Sequence, residues 1–224
     1  MKLLKTKINN TPYLGVYAVC TDDFCIVPSN ILKKEEELLK KSIKTKIIKM
    51  SINQSPLIGV YLLAHKNKVV VSKNSIKKNE IDILEKEGIE VKLVDEEYNA
   101  LGNLIALNSH YGFASNILSN KTISEISSFF NIEIEKKNIL SLDILGSALY
   151  ANDYFFIVNP NISEEEFNYF KKKFKVEGIA TTLNYGGLFV GNDLIANKHA
   201  VFVGDNTSNI ELMKVDDIVL TYDK

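Results

Sequence analysis

The 224-residue chain has no arginine and no tryptophan, so all 27 of its basic residues are lysines. Without arginine there is no guanidinium to grip a phosphate or carboxylate through two parallel hydrogen bonds, and none to read or stack on a base. The lysines face 28 acidic residues, for a net charge of −1. A protein whose main work is coating nucleic acid carries a basic excess instead. Eleven glycines and four prolines are too few for a fibrous or disordered composition. No run of about 18 apolar residues occurs, so no helical membrane span is expected. Lysines interrupt the first eight residues, and no apolar core of a signal peptide is visible there. Two cysteines cannot build a disulfide framework. Cys20 and Cys25 flank Thr21-Asp22-Asp23, which reads as a hairpin turn, and they are expected as buried, reduced thiols facing each other across two strands. These absences describe a soluble, globular, intracellular chain, expected in the cytoplasm.

What the sequence does have is a repeat. Five segments place a glycine at the head of an apolar stretch: Leu14-Gly15-Val16-Tyr17, Ile58-Gly59-Val60-Tyr61, Leu101-Gly102-Asn103-Leu104, Leu145-Gly146-Ser147-Ala148 and Val190-Gly191-Asn192-Asp193. The glycines are 44, 43, 44 and 45 residues apart. Six residues after each stands Thr21, His65, Asn108, Asn152 or Asn197, mostly turn-forming residues. A second apolar run follows (Phe24–Val27, Val69–Val71, Gly112–Ala114, Tyr154–Val158, Ala200–Val203), so each unit opens as a β-hairpin.

In four units a helical stripe comes next: Leu32/Leu38/Leu39, Ile81/Leu84, Ile123/Ile126/Phe130 and Phe167/Phe170/Phe174, at three- and four-residue steps. Thr122 with Glu125 and Ser163 with Glu166 have the capping-box spacing. A third strand closes these units at Ile43–Ile48, Ile89–Val94, Ile132–Glu135 and Val176–Thr182. The unit is therefore β-β-α-β. The fifth copy offers only a short helix around Thr207–Met213 and a strand at Ile218–Thr221, while Lys2–Ile8 at the start is strand-like. Units this small cannot bury their own apolar faces. The expected architecture is thus one α/β domain, residues 1–224, whose N-terminal strand completes the last repeat and closes a ring without exposed edges.

Ala100-Leu101-Gly102-Asn103, Leu145-Gly146-Ser147, Asn159-Pro160 and the series Gly204, Thr207, Glu211-Leu212, set in five such units, resemble the archaeal and eukaryotic translation initiation factor six family, the ribosomal anti-association factors. The resemblance spans essentially the whole chain. Three positions depart from the family pattern: Asn206 replaces an Asp, Ser115-Asn116 replaces a proline turn, and Tyr185 stands where a basic residue is usual. The resemblance implies a pentein-type fold, five units around a pseudo-fivefold axis. It also implies binding to the intersubunit face of the large ribosomal subunit, on ribosomal proteins with minor contact to ribosomal RNA, so that the small subunit cannot join. That is a monomer's steric task, without cofactor, DNA or membrane. Carried over by position, the expected contacts are Val60, His65, Lys66, Asn103, Ser147, Thr207 and Glu211, with Asn192 added by repeat equivalence.

The same fold class includes guanidine-modifying enzymes (amidinotransferase- and deiminase-like), which makes catalysis the alternative. Their chemistry needs an activated thiolate, yet both cysteines lie in the first unit and none in the last, where those enzymes carry the nucleophile. His65, His110 and His199 fall near hairpin tips of different units and are expected as exposed turn residues; a metal needs three or four converging ligands. No phosphate-cradling glycine motif occurs. The runs at Glu35–Glu37, Asp95–Glu97, Glu164–Glu166 and Lys171–Lys173 read as solvated surfaces. A sliding-clamp ring would repeat at a far longer period than 44.

Overall fold

The computed structural model describes residues 1–222. The chain opens with β1 (Lys2–Thr6). The first unit follows as α1 (Leu14–Tyr17), β2 (Val19–Cys20), β3 (Phe24–Pro28), α2 (Lys33–Ile43) and β4 (Lys46–Met50). The second comprises α3 (Ile58–Tyr61), β5 (Leu63–His65), β6 (Lys68–Ser72), α4 (Lys78–Lys86) and β7 (Glu90–Val94). The third comprises α5 (Leu101–Leu104), β8 (Ile105–Leu107), β9 (Gly112–Ala114), α6 (Asn120–Phe130) and β10 (Ile134–Lys136). The fourth comprises α7 (Leu145–Ala148), β11 (Leu149–Ala151), β12 (Phe156–Val158), α8 (Glu164–Phe174) and β13 (Gly178–Ala180). The fifth has α9 (Val190–Asp193), β14 (Leu194–Ala196), β15 (Ala200–Gly204) and α10 (Asn209–Tyr222).

Every unit is a three-stranded sheet with an antiparallel hairpin and a parallel third strand, reached in the first four through a helical crossover. In the fifth sheet that third strand is β1, paired from Lys2 with Ala200 to Thr6 with Gly204. The N-terminus closes the ring. Sheets of three strands also keep an outer edge each, on β1, β4, β7, β10 and β13, so the expectation of a ring without exposed edges is corrected. Two further expectations differ. Ile218–Thr221 is not a strand, because α10 runs unbroken through it. The glycine segments are not strand starts either. Each is a single helical turn, and its strand begins after that turn.

The reason for the turn is contact between backbones. A Cβ placed on Gly59 would overlap the carbonyl oxygen of Gly15, one on Gly102 that of Gly59, and one on Gly146 that of Gly102; Gly191 and Gly15 continue the series, Gly15 meeting Gly191. The five glycines therefore pack head to tail around the axis, each Cα against the preceding unit's carbonyl, an approach open only to a residue without a side chain.

Among the described residues the buried apolar side chains form five clusters, each joining two neighbouring units, and no unit holds a core of its own. Phe24, Ile26, Ile48 and Met50 of the first unit pack with Ile58, Val69, Val71 and Leu84 of the second, while Cys25 and Val27 turn to Phe202 and Ile195 of the fifth. Central strands thus bury both faces, odd residues one way and even residues the other, as in Phe156 and Val158 against Phe155 and Ile157. That is why these strands read as unbroken apolar runs rather than alternating ones.

Hairpin tips reuse one device. The side-chain oxygen six residues past the glycine accepts two backbone amides of the turn: Thr21 from Asp23 and Phe24, Asn108 from His110 and Tyr111, Asn152 from Tyr154 and Phe155, Asn197 from His199 and Ala200. At α6 the cap is Ser119, whose hydroxyl accepts the Thr122 amide, so the Thr122–Glu125 spacing is not the capping box; Glu125 pairs with Lys92. Ser163 does cap α8.

The glycine ring generates a test. Gly102→Ala should destabilise the chain by at least about 3 kcal/mol, the upper range for overpacking, because the obstacle is backbone and cannot rotate away. Asn103→Ala, one residue on and half-exposed, should cost under about 1 kcal/mol. Denaturant unfolding of both variants decides it; equal, small losses would mean the ring tolerates a side chain.

Candidate functional site

The ring has two unlike ends. Residues around the glycine turns gather at one, and the hairpin tips at the other, separated by a strand of three residues in most units, about 10 Å. Val60, Asn103, Ser147 and Asn192 each directly follow a ring glycine, so they form a circle at the first end. Thr207 and Glu211 join them from the loop after β15 and the first turn of α10. His65 and Lys66 are at the second end, in the tip between β5 and β6. The eight expected contacts are therefore not one patch.

They also differ in exposure. Val60, Asn103 and Asn192 are half-exposed. Ser147 is 1% exposed, Thr207 0% and Glu211 6%, so these three shape the surface from beneath. Glu211 accepts hydrogen bonds from Thr182 Oγ1 (2.6 Å), the amides of Gly186 (2.9 Å) and Tyr185 (3.1 Å), and the Ser208 amide (2.7 Å). Thr207 Oγ1 accepts the Asn184 amide at 3.2 Å. Together they fix the Asn184-Tyr185-Gly186 turn, where three consecutive residues have φ of 50°, 65° and 96°. The turn lifts Tyr185 to 85% exposure. Repeat copies of Glu211 act alike: Glu35 accepts the Asn9 and Asn10 amides, and Glu80 that of Asn53. The runs containing Glu35 and Glu96 read as solvated surface from the sequence, yet both carboxylates are buried, at 8% and 6% exposure, because Glu35 reaches back to the preceding turn and Glu96 accepts the Ser119 amide.

Large apolar side chains stand exposed before the glycine turns of three units, Tyr13 before α1, Tyr98 before α5, and Leu188 and Phe189 before α9, and Ile210 and Met213 are 73% and 69% exposed on α10. Aromatic residues are enriched at the centres of protein interfaces.

The hairpin-tip end is a polar network over a channel of about 160 Å³ along the axis. Ser109 Oγ donates to Asp153 Oδ2 (2.7 Å), its amide to Oδ1 (2.6 Å), and the hydroxyl also meets His65 Nε2 at 3.2 Å. Asp22 accepts the Lys198 amide and the Tyr154 hydroxyl. His65 and His199 are half-buried and only His110 is exposed, which corrects the expectation of three exposed turn histidines. Burial holds His65 below the usual histidine range, partly offset by Asp153. Cys20 and Cys25 are register partners across β2 and β3 and both are free thiols. The hydrogen bond with Cys25, followed by burial, raises the Cys20 thiol well above its ordinary pKa, the opposite of thiolate activation. Among the described residues no three His, Cys, Asp or Glu side chains converge on a metal position, and no helix is long and apolar enough to cross a membrane.

Asp193, at the end of α9 and 2% exposed, accepts Asn184 Nδ2 at 2.8 Å. Burial pushes its carboxyl from 3.8 up to about 6, the Asn184 bond only partly opposing this. Glu211 behaves the other way. Burial pushes it up, but the bonds from Thr182, Ser208 and Gly186 outweigh this and hold it at about 2 against 4.5.

A family model described as the eIF-6 family matches residues 3–218. Translation initiation factor 6 of Pyrococcus horikoshii is 30% identical over 223 residues, covering 97% of this chain and 98% of that one. The factor of the same name from Pyrococcus abyssi is 31% identical over 223 residues, again 97% and 98%. That of Picrophilus torridus is 30% identical over 213 residues, 95% and 97%. Among solved structures, a dimethylarginine dimethylaminohydrolase from Pseudomonas aeruginosa in complex with citrulline is 13% identical with a TM-score of 0.47, covering 75% of this chain and 69% of that one.

The two buried carboxylates give opposite pH signatures. Asp193, raised to about 6, contributes stability in full below 3.8 and loses it as pH rises through 6; Glu211 contributes above 4.5 and loses it as pH falls towards 2. Asp193→Asn should remove the first component alone. The stability difference between variant and wild type should shift by on the order of 3 kcal/mol between pH 4 and pH 7, measured by urea unfolding across that range. Parallel stability curves would contradict the assignment.

Proposed function

Since the chain belongs to the eIF-6 family, we propose that it binds the large ribosomal subunit on its intersubunit face and sterically keeps the small subunit from joining, during initiation or during large-subunit maturation. The observation that carries this reading is the family match over residues 3–218, seated on a ring whose glycine-turn end bears exposed aromatics. A standard interface takes about 800 Å² from each partner, under a tenth of this protein's 10050 Å² of surface, so one end of the ring is ample. The mechanism is exclusion, with no bond made or broken and no cofactor required. One protein copy occupying one subunit suffices.

Within that reading the contacts divide by depth. Val60, Asn103 and Asn192 face the partner beside Tyr13, Tyr98 and Tyr185. Ser147, Thr207 and Glu211 hold the contact surface in shape. His65 and Lys66, at the far end, lie outside the footprint, because a subunit surface seated on one end cannot also reach the other. The near-neutral, arginine-free charge favours ribosomal protein as the main contact, with RNA secondary.

Co-sedimentation with purified large subunits tests the proposal. The wild type should pellet with large subunits and reduce 70S-type joining in a gradient. Asn103→Arg and Tyr185→Asp should each weaken pelleting at least ten-fold, about 1.4 kcal/mol, with thermal unfolding nearly unchanged, while Lys66→Glu should bind normally. Failure of the wild type to pellet would end the proposal; normal binding by both variants would move the contact surface elsewhere.

A further inference from the structure

The outer edges of the five sheets are not equally protected. β4 carries Lys46 and Lys49, β7 Glu90 and Lys92, β10 Glu135 and Lys136, and β1 Lys2 and Lys5. Charged side chains on an edge strand discourage pairing with another chain. β13, Gly178-Ile179-Ala180, has none. Its backbone is also turned so that an edge is offered. The Glu177 carbonyl accepts from Phe156, and the Thr181 amide donates to Val158; by alternation the N–H and C=O groups of Gly178 and Ala180 point away from β12.

That edge opens into a groove of about 520 Å³ between α8 and α10. Ile162 and Phe167 line the α8 side, and Lys214 and Asp217 the α10 side, with Glu164 at the rim. The sides follow from register: Gly178 and Ala180 pair with Phe156 and Val158, whose face packs under α8, while Ile179 pairs with Ile157, whose face packs under α10. Glu164, Lys214 and Asp217 are exposed, and none has a side-chain hydrogen bond or ion pair among the described residues.

We propose that β13 and this groove form a strand-addition site for an extended segment of another protein, one whose residues alternate between apolar and polar and which carries basic residues. Main-chain pairing to Gly178 and Ala180 would supply the affinity, as in other edge-strand recognition. Apolar side chains of the segment enter the α8 side against Ile162 and Phe167. Its polar residues point towards α10, and two rim carboxylates against one ammonium select basic over acidic partners. A partner helix would leave the offered N–H and C=O groups unpaired, which is why a strand is the occupant that fits. The site is on the ring's flank, apart from the glycine-turn end, and does not rest on the subunit-docking reading.

The test uses a heptapeptide of alternating valine and threonine with a lysine at each end, its glutamate-ended counterpart, and the full chain followed by amide NMR. The lysine-ended peptide should bind saturably at millimolar concentrations or below, slow exchange of the Gly178 and Ala180 amides, and bind at least ten-fold more tightly than the glutamate-ended one. Ala180→Lys, an exposed position, should abolish binding while leaving thermal unfolding and pelleting with large subunits unchanged. Absence of binding, equal binding of the two peptides, or protection at amides elsewhere would overturn the proposal. So would concentration-dependent dimers of the wild type that vanish in Ala180→Lys, since the edge would then pair with a second copy of this chain.

Discussion

The contact of one glycine Cα with the carbonyl oxygen of the preceding glycine turn, repeated around the axis, sets everything else in the molecule. It fixes how close the units come, and through that the tilt of the sheets and the width of the axial channel. No residue with a Cβ can substitute, so the near-44-residue spacing of Gly15, Gly59, Gly102, Gly146 and Gly191 is a record of geometry. The same contact divides the ring into its two ends. Whatever directly follows a glycine is displayed at one end, and whatever lies six residues on builds a hairpin tip at the other.

Closure follows from where the apolar surface goes. Each central strand feeds two clusters, and each cluster belongs to two units. Removing any unit would bare two faces, and a unit alone would have no core. Closing the loop with β1, almost two hundred residues from its partner β15, costs only loop-closure entropy that grows slowly with length, and it buries the faces an open array would leave wet. α10 completes the last interface, yet it also keeps Ile210 and Met213 in solvent, unlike a helix with one buried stripe and one polar side.

Much of this was readable in the sequence for a physical reason: a ring of interlocking units needs the same residue type at the same place each time. Glycines, turn-forming asparagines and doubly buried strands recur, and recurrence can be counted. What escaped was set by tertiary context. Leu14-Gly15-Val16-Tyr17 reads as strand because its residues favour strands, and only the neighbouring turn forces it into a helical one. α10 reads as a short helix plus a strand because apolar residues on two sides erase the helical period. The split of the candidate residues between two ends, and the burial of Ser147, Thr207 and Glu211, depend on strand direction and on Glu211's bonds to a turn 25 or 26 residues away, which no local pattern encodes. Tyr185 registers in the sequence only as a departure from the family pattern, and its near-complete exposure is set by the same distant bonds.

The claim that joins fold to function is that the glycine-turn end, and not the hairpin-tip end, meets the large ribosomal subunit. Hydroxyl-radical footprinting with mass spectrometry, on the free chain and on the chain pelleted with large subunits, measures it in one experiment. Protection should concentrate on Tyr13, Tyr98, Tyr185, Phe189 and Met213, with His110 and Tyr154 at the tips labelled equally in both states. Protection of the tip residues, with Tyr185 and Phe189 still reactive, would contradict it.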